Sequence, residues 1–270
     1  VIPCYRSAQT IGKVVEEIRT SMSRLSDRYC YELILVNDFP GDDTFEVIRK
    51  LAEEYDNITG INFARNFGQH AALMAGFHYC SGDITVCLDD DGQTPADEVG
   101  KLLDKLEEGY DVVYAKYTHK QHSAFRNFGS RENELMTRFM LGKPKELYIS
   151  SYFAARKFVI DEMVRYRNSY PYVIGLVLRK TKNIANVEVS HREREIGSSG
   201  YTLGKLFGLW FNGFTAFSIK PLRVATACGG FCAFAGFIYG VYTIVKKLIN
   251  PIAPMGWSST MAALVFIGGM

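Results

Sequence analysis

Short apolar runs rich in β-branched residues alternate with helical patterns along the first 117 residues. The pattern predicts a strand at the start of the chain and further strands at residues 31–38, 58–65, 83–91 and 110–117. Helical periodicity predicts helices at residues 10–25, 43–55, 68–80 and 95–108. This alternation predicts an α/β fold whose mostly parallel sheet carries helices on both faces.

The alternation weakens after residue 118. We expect a helix within residues 119–145, a short strand at 148–153, two further helices and a strand at 185–191. Residues 202–219 are apolar and aromatic, and Lys205 is their only charge. Such a segment is typical of a helix that lies along a membrane surface, although an ordinary buried helix remains open.

The C-terminal part of the chain is apolar enough to meet a membrane. Residues 224–245 are 22 residues without a charge, which as a helix would span roughly 33 Å. Residues 248–270 are also uncharged and contain Pro251 and Pro254, so we expect a loop followed by the start of a second helix. Because the chain begins without Met inside a strand and stops inside an apolar run, we expect a piece of a longer protein.

Charge argues against one class of function. The net charge is +2, and residues 221–270 hold three basic residues and no acidic one. Residues 1–220 therefore hold 28 basic and 29 acidic residues. A nucleic-acid binder would show a basic excess there. The six cysteines form no C-x-x-C pair, so we expect free, structural thiols.

The strongest candidate for chemistry is the acidic end of the fourth predicted strand. Asp89, Asp90 and Asp91 are adjacent, and three neighbouring carboxylates repel one another unless a cation is present. In extended backbone Asp89 and Asp91 point to the same side. With the amide oxygen of Gln93 they would make an oxygen-only site suited to Mg²⁺ or Mn²⁺. A solvated acidic turn is the open alternative.

A second acidic strand end lies at Asp38. Its carboxylate could accept hydrogen bonds from a nucleobase or ribose, or could instead form an Asx turn before the next helix. No G-x-G-x-x-G follows a strand and no G-x-x-x-x-G-K-[ST] occurs. The usual dinucleotide-binding and P-loop motifs are therefore excluded.

Several segments together resemble one family. Residues 1–5 (VIPCY), 36–38 (VND), the Asp-x-Asp strand end and residues 191–201 (HREREIGSSGY) are similar to inverting family 2 glycosyltransferases with the GT-A fold. Residues 64–77 (ARNFGQHAALMAGF) resemble the branch that charges polyprenyl phosphates, which includes dolichol-phosphate mannose synthase, bactoprenol glucosyltransferases and the undecaprenyl-phosphate formamido-arabinose transferase. The resemblance implies a catalytic domain at 1–200, an interfacial helix at 201–220 and two transmembrane helices within 221–270, the second truncated.

The resemblance also implies roles for single residues. Asp89, Asp91 and Gln93 would hold a divalent cation that bridges the donor diphosphate, and Asp38 with the backbone of Pro3 and Tyr5 would seat the base. Arg194 would bind phosphate, and Arg126, Ser130 and Arg131 would contact the lipid phosphate. The remaining implied substrate contacts are Asp90, Ser199 and Tyr201. Arginine suits phosphate because its planar fork matches phosphate oxygens.

The implied reaction moves one sugar from a nucleotide-diphospho-sugar, a UDP-sugar by resemblance, to a polyprenyl phosphate such as undecaprenyl phosphate. The implied cofactor is Mg²⁺ or Mn²⁺, the implied location is the plasma membrane with the catalytic domain in the cytoplasm, and the bacterial relatives suggest a homo-tetramer. Two positions depart from the family: Asn37 replaces the first Asp of an Asp-Asp pair, and Gly200 replaces a Lys of the late motif.

Two other functions stay open. A processive polysaccharide synthase belongs to the same family, but it would carry a Gln-x-x-Arg-Trp motif, which precedes neither Trp210 nor Trp257. A degenerate, membrane-anchored sugar-nucleotide-binding partner protein is suggested by Asn37 and Gly200. The complete set of Asp89, Asp91 and Gln93 argues against that second alternative.

Overall fold

A computed structural model describes residues 1–117, 143–190, 220–249 and 256–269. The chain divides into two compact units, Val1–Ala216 and Phe217–Met270. The strands of the first unit are β1 Ile2–Cys4, β2 Leu33–Asn37, β3 Ile58–Asn62, β4 Ile84–Cys87, β5 Val112–Tyr117, β6 Phe153–Arg156 and β7 Ile184–Val189. Its helices are α1 Ile11–Ser23, α2 Thr44–Glu54, α3 Gln69–Tyr79, α4 Val99–Glu107, α5 Lys157–Val164 and α6 Val173–Lys180.

The strands form two hydrogen-bonded groups that meet at the chain start. Strands β1, β2 and β3 are parallel, with Ile2 opposite Leu35 and Leu35 opposite Gly60. The second group has the order β4-β6-β5-β7. The Val1 amine donates to the Val86 carbonyl, and the Leu88 N–H donates to the Val1 carbonyl. These bonds place the end of β4 beside β1. The C-terminal ends of β1, β2, β3 and β4 therefore lie near one another.

The second group is mixed, which corrects the expectation of a mostly parallel sheet in that half. Strand β6 runs antiparallel to both β4 and β5, and β5 and β7 are parallel. The expected strand at 148–153 is also wrong, because β6 begins only at Phe153. The Ser150 hydroxyl bonds the carbonyls of Ala115 and Tyr152, and such local bonds compete with a strand ladder.

Amphipathic helices cover the sheet and bury the core. Helix α1 buries Ile11, Val14, Val15 and Ile18, a spacing that forms one apolar stripe. The helix expected at 95–108 begins as a 3₁₀ turn, Ala96–Glu98, and continues as α4. All six cysteines are free thiols, but Cys30, Cys228 and Cys232 are exposed rather than packed in a core.

The second unit contains α7, Lys220–Ile249, and α8, Trp257–Gly269. Among the described residues, one helix is long and apolar enough to cross a membrane, through Leu222–Lys246. The two helices pack closely, since a Cβ at Gly236 would lie 2.6 Å from the Phe266 nitrogen. Helix α8 has 13 described residues, roughly 20 Å of helix. The described part of α8 is therefore shorter than a bilayer span. The expected interfacial helix at 202–219 lies outside the described residues.

Candidate active site

The acidic turn, residues 89–91, follows β4 at the edge where ligands bind in α/β sheets. Both carboxylate oxygens of Asp89 accept hydrogen bonds: Oδ1 from Gln69 Nε2 at 3.1 Å, and Oδ2 from the Ser151 hydroxyl. Gln69 is the first residue of α3, and Ser151 lies just before β6. Two separate elements therefore fix the direction of the Asp89 carboxylate.

The negative charges of Asp91 and Asp89 both act on the phenol of Tyr117, at the end of β5. Gly92 has φ 74°, and the Gln93 N–H donates a hydrogen bond to Asp91 Oδ1 at 3.0 Å. Tyr117 is the last residue of β5. Burial raises the pKa of the Tyr117 phenol, and the negative charges of Asp89 and Asp91 raise it further. The phenol therefore stays protonated and can donate a hydrogen bond beside the two carboxylates.

The Asp90 side chain is turned toward the end of β1 instead. Its Oδ2 accepts the Tyr5 N–H at 2.8 Å and the Ser7 hydroxyl. Burial raises the pKa of Asp90, and the hydrogen bonds from Ser7 and Tyr5 oppose that rise. Asp90 thus joins the end of β4 to the turn after β1. Pro3 is buried within β1, whereas Tyr5 is 41% exposed beyond it.

Asp38 holds the loop that enters α3. Its Oδ1 accepts the Phe67 N–H at 2.7 Å and its Oδ2 accepts the Gly68 N–H at 2.8 Å. The side chain is only 3% exposed. Burial raises the pKa of Asp38, and the two backbone bonds oppose the rise. The contact with a nucleobase stays a prediction, but the carboxylate already has an internal role.

Asn37 makes contacts that an aspartate could not make. Its amide nitrogen donates to the Phe39 carbonyl at 3.0 Å and to Asn62 Oδ1 at 2.8 Å. The side chain is fully buried. It therefore ties the end of β2 to the end of β3, so the departure from the Asp-Asp pair has a structural role.

The oxygen atoms of the acidic turn are suitable ligands for a hard divalent cation. Asp89 and Asp91 present carboxylate oxygens, and Mg²⁺ is commonly held by one or two carboxylates together with substrate phosphates. Within the described part of the chain, no three His, Cys, Asp or Glu side chains converge as a metal cluster. The acidic turn would therefore offer two carboxylates to such a cation, with Gln93 as a neighbouring amide.

Six of the sequence-predicted site residues lie outside the described residues: Arg126, Ser130, Arg131, Arg194, Ser199 and Tyr201. The structure places three further residues beside the acidic turn that the sequence reasoning did not single out: Gln69, Tyr117 and Ser151. Gln69 lies within the family-like stretch 64–77 and could have been found there. Ser151 gave no signal, because the pattern placed it inside a strand.

Comparison with family models covers both units. The model described as "Glycosyl transferase family 2" matches residues 1–164, and the "GtrB C-terminal hairpin" matches residues 220–270. Curated relatives are named undecaprenyl-phosphate 4-deoxy-4-formamido-L-arabinose transferase. The relative from Proteus mirabilis is 34% identical over 250 residues, covering 92% of this chain and 76% of the relative. The relative from Yersinia enterocolitica is 32% identical over 269 residues, covering 99% and 82%.

Solved structures share the fold. Glucosyl-3-phosphoglycerate synthase from Mycobacterium tuberculosis, in complex with Mn²⁺, UDP-glucose and phosphoglyceric acid, aligns with a TM-score of 0.57 and 22% identity. The alignment covers 77% of this chain and 73% of the synthase. The resemblance noted from the sequence is confirmed: the chain has a GT-A-like fold, belongs to glycosyl transferase family 2 and is a glycosyltransferase.

Proposed function

We propose that this glycosyltransferase moves a single sugar from a UDP-sugar to the phosphate of a polyprenyl phosphate such as undecaprenyl phosphate. The whole-chain similarity to relatives with that acceptor in their names carries the proposal. The reaction would modify a cell-envelope polysaccharide or lipid.

The acidic turn is the proposed donor-diphosphate site. Asp89 and Asp91, with Gln93, would hold Mg²⁺ or Mn²⁺, which neutralises charge on the departing diphosphate when bound. Gln69 and Ser151 would keep the Asp89 carboxylate directed at that position. Tyr5 and the backbone of Pro3 would border the base. Asp38 and Asp90 would support that pocket through the backbone N–H groups that they bond, those of Phe67 and Gly68 for Asp38 and that of Tyr5 for Asp90.

The acceptor chemistry explains why a catalytic base is not required. A phosphate monoester already carries negative charge at neutral pH, so no proton need be removed before it attacks. Attack on the anomeric carbon from the face opposite the diphosphate inverts the configuration. Arg126, Ser130 and Arg131 are proposed to bind the lipid phosphate, and Arg194, Ser199 and Tyr201 to bind the donor phosphates.

The C-terminal unit supports a membrane location. We propose that residues 1–200 form the catalytic domain, that 201–220 lie along the cytoplasmic surface of the plasma membrane and that two helices within 221–270 cross it. The apolar stretch Leu222–Lys246 supports the first crossing. An enzyme held at the membrane surface has its active site near the lipid headgroups, where the phosphate of the acceptor lies, so the acceptor does not have to be found in three dimensions. By the same resemblance, the proposed assembly is a homo-tetramer.

The test is an assay of the full chain in detergent with undecaprenyl phosphate, Mg²⁺ or Mn²⁺ and a panel of UDP- and GDP-sugars. The lipid product is identified by mass. We expect one sugar added per polyprenyl phosphate from a UDP-sugar, with loss of product in EDTA and in Asp89→Ala. The matched control is Asp83→Ala, which removes an exposed carboxylate just before β4, on the side away from the acidic turn.

Each other outcome identifies a different error. A polymer on the lipid would indicate a processive synthase. Nucleotide binding without turnover of any donor would favour the partner-protein alternative. Full activity of Asp89→Ala with metal present would refute the assignment of the acidic turn. A GDP-sugar as the productive donor would correct the proposed base.

A further inference from the structure

Arg6 has an unusual backbone for its residue type. It has φ 58°, in the left-handed region that L-residues other than Gly, Asn and Asp rarely adopt. Its two neighbours are fixed, because the Tyr5 N–H bonds Asp90 Oδ2 at 2.8 Å and the Ser7 N–H bonds Thr44 Oγ1 at 2.8 Å. Strain of this kind persists where the surroundings hold it, and it points to a functional role.

The side chain of Arg6 lies on an aromatic pair. Its guanidinium carbon is 4.7 Å from the centre of the Phe39 ring and 5.5 Å from that of Tyr5. The two rings meet edge to face with centres 5.3 Å apart. Stacking occupies a face of the guanidinium and leaves its N–H donors in the plane available.

Of the other arginines that lie over a ring in the described chain, Arg19 and Arg28 are ion-paired, whereas Arg65, whose guanidinium carbon is 4.7 Å from the centre of the Phe67 ring, has no ion pair among the described residues. Arg19 lies over Tyr55 but bonds Glu16 at 2.8 Å, and Arg28 lies over Tyr29 but bonds Asp104 at 2.8 Å. Among the described residues, Arg6 and Arg65 have ring contacts but no carboxylate partner, and of these two only Arg6 has a positive φ. Its exposed N–H donors therefore remain available to a ligand at the ends of β1 and β2.

We propose that Arg6 is a specificity-determining residue that donates hydrogen bonds to the O4 carbonyl oxygen on the base edge of a uridine donor nucleotide. The inference rests on the proposed UDP-sugar donor. Tyr5 and Phe39 would contact the base, and the turn held by Asp90 would aim the guanidinium at its edge. Arginine has only donors, and uracil has a carbonyl oxygen where cytosine has an amino group. Arg6 would therefore favour UDP over CDP.

The pair UDP and CDP separates a base contact from a phosphate contact, because the two ligands carry the same diphosphate. We would measure both dissociation constants by calorimetry with Mn²⁺ on the full chain in detergent. The variants are Arg6→Met, which keeps side-chain bulk, and Arg6→Gly, which accepts the positive φ without strain. The matched control is Arg19→Met, which removes another ring-stacked arginine from α1.

A hydrogen bond from a charged group predicts roughly a tenfold or greater loss of UDP affinity in both Arg6 variants. CDP affinity should change by less than about twofold under the same conditions. Equal losses for UDP and CDP would overturn the inference in favour of a contact with a group that both nucleotides share, such as the diphosphate or O2, and unchanged UDP binding would overturn it outright. A wild-type protein that binds neither nucleotide would refute the proposed donor, and the inference would fall with it.

Discussion

His70, the second residue of α3, makes the stability of the catalytic unit depend on pH. Its ring meets Tyr172 edge to face at 5.1 Å, and its Nδ1 is buried without a hydrogen-bond partner among the described residues. Burial lowers the pKa of His70 from 6.5 to about 4. A proton on this ring would therefore be costly in the folded state.

The sign and size follow from linkage. Because the folded pKa lies below the unfolded one, the unfolded state binds more protons between pH 4 and 6.5, and stability rises with pH there. This stability is complete above about pH 6.5 and is lost as the pH falls toward 4. Between pH 7.5 and 5 the loss would reach about 2 kcal/mol for that shift. Because His70 as a whole residue is half-buried, we expect about 1–2 kcal/mol.

The perturbation is His70→Asn, which keeps a polar side chain and removes the titration. Urea unfolding of the full chain in detergent, followed by circular dichroism, gives the free energy of unfolding at each pH. The free energy of unfolding of the wild type, minus that of the variant, should fall by about 1–2 kcal/mol as the pH falls from 7.5 to 5. In the matched control, His78→Asn at the exposed last turn of α3, this pH dependence should remain. A constant difference between wild type and His70→Asn would refute the reasoning.

Three further substitutions probe the site and its support. Ser151→Ala should weaken Mn²⁺ binding by roughly threefold to tenfold, measured by electron paramagnetic resonance, because Asp89 loses one of its two positioning bonds; an unchanged dissociation constant would contradict this. Asp38→Asn should lower the free energy of unfolding by about 1–3 kcal/mol in urea titrations, because Phe67 or Gly68 loses its acceptor. Gly60→Ala should cost about 1–3 kcal/mol in the same assay, because its Cβ would lie 2.7 Å from Ile48 Cγ2; wild-type stability would show that the sheet yields there.

The elements that the sequence predicted well are those in which a hydrophobic period and a turn signal agree. Helix α3, expected at 68–80, spans Gln69–Tyr79, and β5, expected at 110–117, spans Val112–Tyr117. The strand expected at 148–153 was wrong because side chains bond the backbone there. The Ser150 hydroxyl donates to the Ala115 carbonyl, and the Asn186 amide donates to the Tyr148 carbonyl. Pattern reports which residues are buried, but it does not report which partner satisfies their backbone.

The candidate site shows the same division. The Asp-x-Asp spacing predicted that Asp89 and Asp91 share one side, and the Tyr117 phenol is influenced by both carboxylates. The positioning contacts to Asp89 come from Gln69 and Ser151, which are 20 and 62 residues away along the chain. Local spacing carries no information about such partners, because the sheet topology alone brings them together.

Asn37 is the position at which sequence and structure lead to opposite experiments. As a departure from an Asp-Asp pair, it invites reversion to Asp. In the structure its amide donates to the Phe39 carbonyl and to Asn62 Oδ1, and Asn37→Asp would place a buried carboxylate against two acceptors. We expect a loss of about 2–4 kcal/mol in the free energy of unfolding, since two donors disappear and a charge is buried. The matched variant Asn37→Asp with Asn62→Lys supplies a cation and should recover part of that loss. A single Asn37→Asp variant that is as stable as wild type and gains donor affinity would instead support the view that Asn37 is a degenerate nucleotide contact.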